Sequence, residues 1–167
     1  MTALGAATAS STDEISAGLE KFAAVSNSVG LSYEYATSAL ATVTATTRQS
    51  ADVVGTAFKT LFARIQDLEL GKTLDDGTTL GKYSQALETV GISIKTADGG
   101  LREMDDILSD LGEKWNSFDA EGNPLISDDA KVALAQTVAG VRQYTQLIAL
   151  MDNWDFMKEN LETARNA

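Results

Sequence analysis

Apolar residues recur at helical spacing along most of this chain, and several of the breaks between runs fall at glycines. Ser11 or Thr12 is placed to cap a first helix, with Asp13 and Glu14 in its first turn. Ile15, Leu19, Phe22 and Val25 or Ser26 then share one face. Val29–Gly30 ends it, with Gly30 in the position of a left-handed stop. Ser32 opens a second helix reaching about Thr47, with Leu40 and Val43 on its apolar stripe. Thr42, Thr44, Thr46 and Thr47 are β-branched, and residues 41–46 alternate as a strand would. No turn separates them from the Ala-rich stretch before, which favours helix. Ser50 caps a third helix over 51–68, strongly amphipathic through Val54, Phe58, Leu61, Phe62, Ile65 and Leu68. Between Leu31 and Leu68 there is no Pro and one Gly, Gly55. That glycine costs about 1 kcal/mol against Ala inside a helix, so close approach of a neighbouring helix is expected there.

Residues 69–79 read as a loop, marked by Gly71 and Asp75-Asp76-Gly77. A short helix over about 81–90 carries Tyr83, Leu87 and Val90 and stops at Gly91. Ile92-Ser93-Ile94 alternates, and Asp98-Gly99-Gly100 signals a turn, so a small β-hairpin or extended corner is expected before Leu101. The next helix runs over about 102–118. Met104, Ile107, Leu108, Leu111, Trp115 and Phe118 form its stripe, and Glu103, Asp105, Asp106, Asp110 and Glu113 lie opposite. After a turn-rich loop over 119–125, Ser127 opens a helix through Val132, Leu134 and Val138. Gly140 falls in its middle or at a break, and Val141, Tyr144, Leu147, Ile148 and Met151 continue the face. Asp152 or Asn153 restarts a last helix through Trp154, Phe156, Met157 and Leu161. No internal repeat and no long heptad run stands out. The expected fold is all-α: a compact multi-helix domain of five to seven helices, with at most one short β-hairpin near residues 92–102. Residues 1–12 read as a flexible N-terminal segment. Residues 13–167 read as one helical core domain, with possible lobes 13–68 and 82–167 joined by the loop 69–81.

Composition narrows the chemistry more than the fold. The 167 residues are 44% hydrophobic, with one proline, Pro124, and neither Cys nor His. Disulfides, thiolate catalysis, Cys-ligated zinc and any Ser-His-Asp arrangement are therefore excluded. No phosphate-cradling Gly-rich loop with its Lys is present, and neither cofactor nor metal is expected. The net charge of −11 is uneven: residues 1–66 carry −1 and residues 67–167 carry −10. An acidic lobe disfavours phosphate backbones, so no specific nucleic-acid binding is expected. No run approaches the roughly 18 apolar residues of a membrane span. The apolar start lacks the basic region of a signal peptide. Glu103 with Asp106 or Asp110 shares a helical face, yet such faces are solvated far more often than catalytic. Asp119, Glu121 and Asn123 alternate like calcium ligands, but the glycine comes at the fourth position instead of the sixth and Ala130 replaces the closing Glu. Trp115, Phe118, Trp154 and Phe156 read as core by their spacing. Arg142, beside Gly140, reads as a structural ion pair or cap. The candidate packing positions are thus Gly30, Gly55, Phe58, Gly91, Gly100, Trp115, Gly140 and Arg142.

Three blocks in order, residues 29–65, 90–115 and 133–154, resemble the core region of phage tail tape-measure proteins. The resemblance rests on Gly30-Leu31-Ser32 at a helix start and on Gly55 with Phe58. It continues in the corner Gly91, Ile92, Ile94, Gly100, Leu101, Arg102, and in Gly140 with Arg142. Ala139, where a larger apolar residue is common, and a long 67–81 segment depart from the pattern. The resemblance implies a non-enzymatic virion protein of the tail, made in the host bacterial cytoplasm and excised from a much longer chain. It implies roles in tail length, tail assembly and genome ejection, from phage or prophage. The implied partners are other tape-measure copies, tail tube or tip proteins and assembly chaperones, with possible transient contact with the host envelope. A peptidoglycan-degrading or envelope-interacting module is the alternative reading, the latter motivated by the amphipathic stretch 51–68.

Overall fold

The computed structural model describes residues 12–166. The expected N-terminal segment, and the cap at Ser11, lie outside those residues. Eight helices are present among them: α1 (Thr12–Ser28), α2 (Tyr33–Thr47), α3 (Ala51–Glu69), α4 (Leu80–Glu88), α5 (Met104–Trp115), α6 (Asp128–Ala139), α7 (Tyr144–Asp152) and α8 (Trp154–Arg165). The all-α class holds. The count exceeds the expected five to seven because Gly140 divides the run opened by Ser127 into α6 and α7, while the restart at Asn153 follows the sequence reading. Gly140 has φ +87°, which an L side chain tolerates poorly, so the helix opened by Ser127 stops there.

Four helices begin where a hydroxyl accepts an orphan amide of the first turn. Ser32 accepts from Tyr35, Ser50 from Val53, Thr79 from Lys82 and Ser127 from Ala130. Helix α5 is shorter than the expected 102–118 at both ends, and pairing between residues six apart in the chain is the reason. Leu101 forms an antiparallel bridge with Lys95, and Arg102 donates its amide to the Ile94 carbonyl. Helix can therefore begin only at Met104. At the other end Phe118 bridges to Pro124. The expected hairpin near 92–102 is this isolated bridge around a turn, with no strand among the described residues. The second such corner, 118–124, was not expected.

The core is built around α2, which touches α1, α3, α7 and α8, while α1 and α3 pack most extensively on each other. Every residue of α2 from Tyr35 to Thr44 is buried. The threonines that argued for a strand are accommodated because their hydroxyls bond back to the helix's own carbonyls: Thr42 to Ser38 (2.7 Å), Thr46 to Thr42 (2.8 Å), Thr47 to Val43 (2.6 Å). One hydrophobic cluster draws residues from all eight helices, among them Phe22, Leu40, Phe58, Tyr83, Leu111, Leu134, Leu147 and Trp154.

Candidate functional site

The sequence-predicted positions are spread over several junctions of the helices. Gly55 faces Gly18, so a Cβ added at Gly55 would run into the Gly18 carbonyl oxygen. A Cβ at Gly18 would lie 2.5 Å from the Ala51 oxygen. The two glycines thus let the backbones of α1 and α3 touch. Phe58 packs beside them, edge-on to Phe22 at 5.4 Å between centroids and tilted against Phe62 at 5.8 Å. Gly30, at φ +85°, turns the chain between α1 and α2. The carbonyls of Val29 and Gly30 then accept the amides of Met104 and Asp105 (3.0 and 3.2 Å), and the Asp105 carboxylate accepts the Ser32 amide. This exchange supplies the cap that Glu103 does not give α5. Burial, more than these hydrogen bonds, sets Asp105 and raises its carboxyl above the usual range.

Gly91 follows α4, where Lys114 Nζ donates to the Val90 and Gly91 carbonyls at 3.1 and 3.0 Å and so places a cation on the helix's C-terminal end. Gly100 is an exposed turn residue beside Gly99, which carries the left-handed conformation. Trp115 is buried, donates Nε1–H to Asp152 (2.8 Å) and lies under Lys131, whose Nζ is 5.4 Å from the ring centroid. Arg142 is exposed with no ion pair; the guanidinium beside Gly140 belongs to Arg64 of α3 instead. Its side chain is 14% exposed and pairs with Asp76 at 3.0 Å, while Nη2 donates to the Thr78 hydroxyl and the Thr137 carbonyl. Arg64 thus ties α3, the loop 70–79 and the end of α6 together. The Thr78 amide and hydroxyl, with Arg64 beyond them, hold the Asp76 carboxyl below its ordinary range.

Around Arg64 opens a cleft of about 850 Å³, lined among others by Lys59, Asp67, Lys72, Asp75 and Arg142. Its charges are mixed, and Lys72 is already paired with Asp67 at 3.3 Å. Nothing in it places a nucleophile against a base. The carboxylates that share a helical face, Glu103, Asp106 and Asp110, lie elsewhere. Asp110 is held by Arg102 at 2.7 Å, and Glu103 and Asp106 are exposed on the rim of a second cleft. Asp119 Oδ1 accepts the amides of Glu121 and Asn123, both at 2.9 Å, so the calcium-like alternation builds a turn. Among the described residues no group of three or more His, Cys, Asp or Glu could hold a metal ion. No described helix is long and apolar enough to cross a membrane. The apolar face of α3 that suggested envelope contact is buried in the core. Of the four aromatics read as core, Trp115 and Trp154 are buried, Phe156 is half-buried and Phe118 is 65% exposed, its bridge to Pro124 turning it outward.

Two further junctions, and the partner of Gly55, were not anticipated. Trp154 lies against Gly112, where any side chain would enter the indole ring, and its Nε1–H reaches Glu113 at 3.1 Å. Asn160, fully buried on α8, donates to Thr42 Oγ1 of α2 at 2.9 Å. Gly18 completes the crossing with Gly55. A glycine inside an unbroken apolar stripe is the one sequence signal that points to Gly18 and Gly112.

A family model described as phage-related minor tail protein matches residues 1–128 of the chain. No solved structure matches it.

Proposed function

The chain belongs to the phage-related minor tail protein family, and on that premise we propose that it is a structural segment of a tail tape-measure protein. The family match makes it a component of the virion tail, and that match carries the reading. The three sequence blocks that resemble tape-measure cores support the finer assignment. In this reading the segment is made in the host bacterial cytoplasm and contributes to tail length, tail assembly and genome delivery. It acts through helix-mediated contacts with other copies, tube or tip proteins and assembly chaperones, and no residue performs catalysis. The longest described helix, α3, has 19 residues and spans about 28 Å. A spacer role therefore requires the helices to be drawn out of this packing, and a tip role uses the packing as it stands.

Tail length measured by electron microscopy, in a phage whose gene lacks this segment in frame, tests the assignment. A ruler segment shortens tails by up to about 250 Å, the length of the chain as continuous helix. Tails of normal length on non-infectious particles place the segment in tip assembly or genome delivery. Normal tails with normal infectivity overturn the proposal.

A further inference from the structure

One apolar stripe runs straight through the corner between α7 and α8. Leu147, Leu150, Trp154, Met157, Leu161 and Ala164 alternate spacings of three and four residues, which is the a/d pattern of a heptad. The first five are buried and Ala164 packs against the same core. Residues 144–165 contain neither Gly nor Pro. The break between the helices is a single residue, Asn153, at φ −108° and ψ 35°, which ends α7 and begins α8 at once. Its amide and its Nδ2 both donate to the Ala149 carbonyl, at 3.3 and 2.7 Å. Helix α8 starts without a side-chain cap.

What holds α8 in place is not α7. It rests chiefly on α2. Its anchors are the Asn160–Thr42 hydrogen bond, the Trp154 ring against Gly112 and beside Tyr35 at 6.4 Å, and the Trp154–Glu113 hydrogen bond. A second copy of the chain offers the same anchors.

We propose that α8 exchanges between two copies of this chain. Asn153 becomes helical, α7 and α8 join into one helix over residues 144–165, and each α8 seats on α2 and Gly112 of the other copy. The heptad stripe makes this possible, because it keeps both halves of the straight helix on one face. One half stays in its own core, and the other, carried past the corner, lays the same face on the neighbour's. Every anchor lost in one copy is re-formed in the other, the condition under which exchange of an element makes a dimer at low cost. A one-residue connection between two packed helices is the kind of hinge that invites it. The buried Asn160–Thr42 pair fixes the register of the exchanged helix as it does within one copy. The inference is independent of the role in the tail.

Light scattering behind size exclusion, on the whole chain refolded from urea at rising concentration, reads the dimer directly. Its fraction rises with concentration in the wild type. Asn153→Ala removes the Nδ2 tie and favours the straight helix at both hinges, raising the association constant about tenfold. Asn153→Gly lowers it about threefold. The chain has no cysteine, so co-refolding Thr42→Cys with Asn160→Cys gives a disulfide between the two variants only if α8 of one copy lies on α2 of the other. Monomers throughout the Asn153 series overturn the proposal, as does a dimer indifferent to residue 153. If either cysteine variant fails to fold, the Asn153 series decides alone.

Discussion

Gly55→Ala separates two opposing effects of known size. In an open helix the exchange stabilises by about 1 kcal/mol, because Ala is the better helix former. At Gly55 the new methyl meets the Gly18 carbonyl oxygen of α1, a backbone atom that no rotamer change can move aside. The helices must then separate, disturbing the contacts of Phe22, Phe58 and Phe62 beside the crossing. Overpacking of a core costs roughly 1–3 kcal/mol, and a backbone clash lies at the upper end. The net expectation is a loss of about 1–2 kcal/mol. Gly81→Ala is the control: it lies in the first turn of α4, where the nearest atom to an added Cβ is the Thr79 hydroxyl at 3.7 Å. There the propensity term acts alone, and a gain of about 0.5–1 kcal/mol follows. Urea unfolding followed by far-ultraviolet circular dichroism gives both values, the midpoint moving down for one variant and up for the other. Equal stabilisation by the two substitutions would refute the backbone crossing.

Burial pushes the Glu69 carboxyl up to about 7, so folding takes up a proton between roughly pH 4.5 and pH 7 and stability falls as pH rises through that window. The shift corresponds to ~3 kcal/mol in a dry site, which half exposure reduces to about 1 kcal/mol. Glu69→Gln should flatten this part of the stability–pH curve and raise stability at pH 8; an unchanged slope would count against it. Thr42→Val leaves buried Asn160 without its acceptor and should cost about 1–3 kcal/mol. Adding Asn160→Leu should recover part of that loss, and strict additivity in the double-mutant cycle would deny the pair any coupling. Arg64→Met unties the loop 70–79 from α3 and α6, so limited proteolysis should cut within that loop at least several-fold faster while far-ultraviolet dichroism stays unchanged.

What the sequence made legible was local. Ser32, Ser50 and Ser127 cap helices with their own hydroxyls, and Gly30 stops one by its own φ, so neighbours in the chain suffice to find them. Thr79 caps in the same way but falls at the end of the stretch 69–79 that reads as loop. The ends of α5 were misplaced because pairs six residues apart, Lys95 with Leu101 and Phe118 with Pro124, override its apolar periodicity. Arg142 drew attention by standing near Gly140, whereas the guanidinium that fills that place comes from Arg64, 73 residues before the carbonyl it bonds. Gly18 and Gly112 are required by the helix opposite each of them; their place inside an apolar stripe marks a close contact without telling which helix makes it. The threonines of α2 carry two signals: their β-branched shape argues for a strand, while their hydroxyls satisfy the helix from within, and the helix favoured by the unbroken Ala-rich stretch is the one observed.

The packing of α2 also sets how this protein yields to force. Helix α1 leans chiefly on α3, and α8 leans chiefly on α2. Tension drawn along the chain from both ends is expected to peel α8 before α1, because the α1–α3 contact is the most extensive between any two helices. Helix α2, enclosed by its neighbours and bonded to itself through its hydroxyls, lets go last. For a tail component under load, that order is a built-in sequence of release, and an optical-tweezers trace should show it as steps that begin with α8.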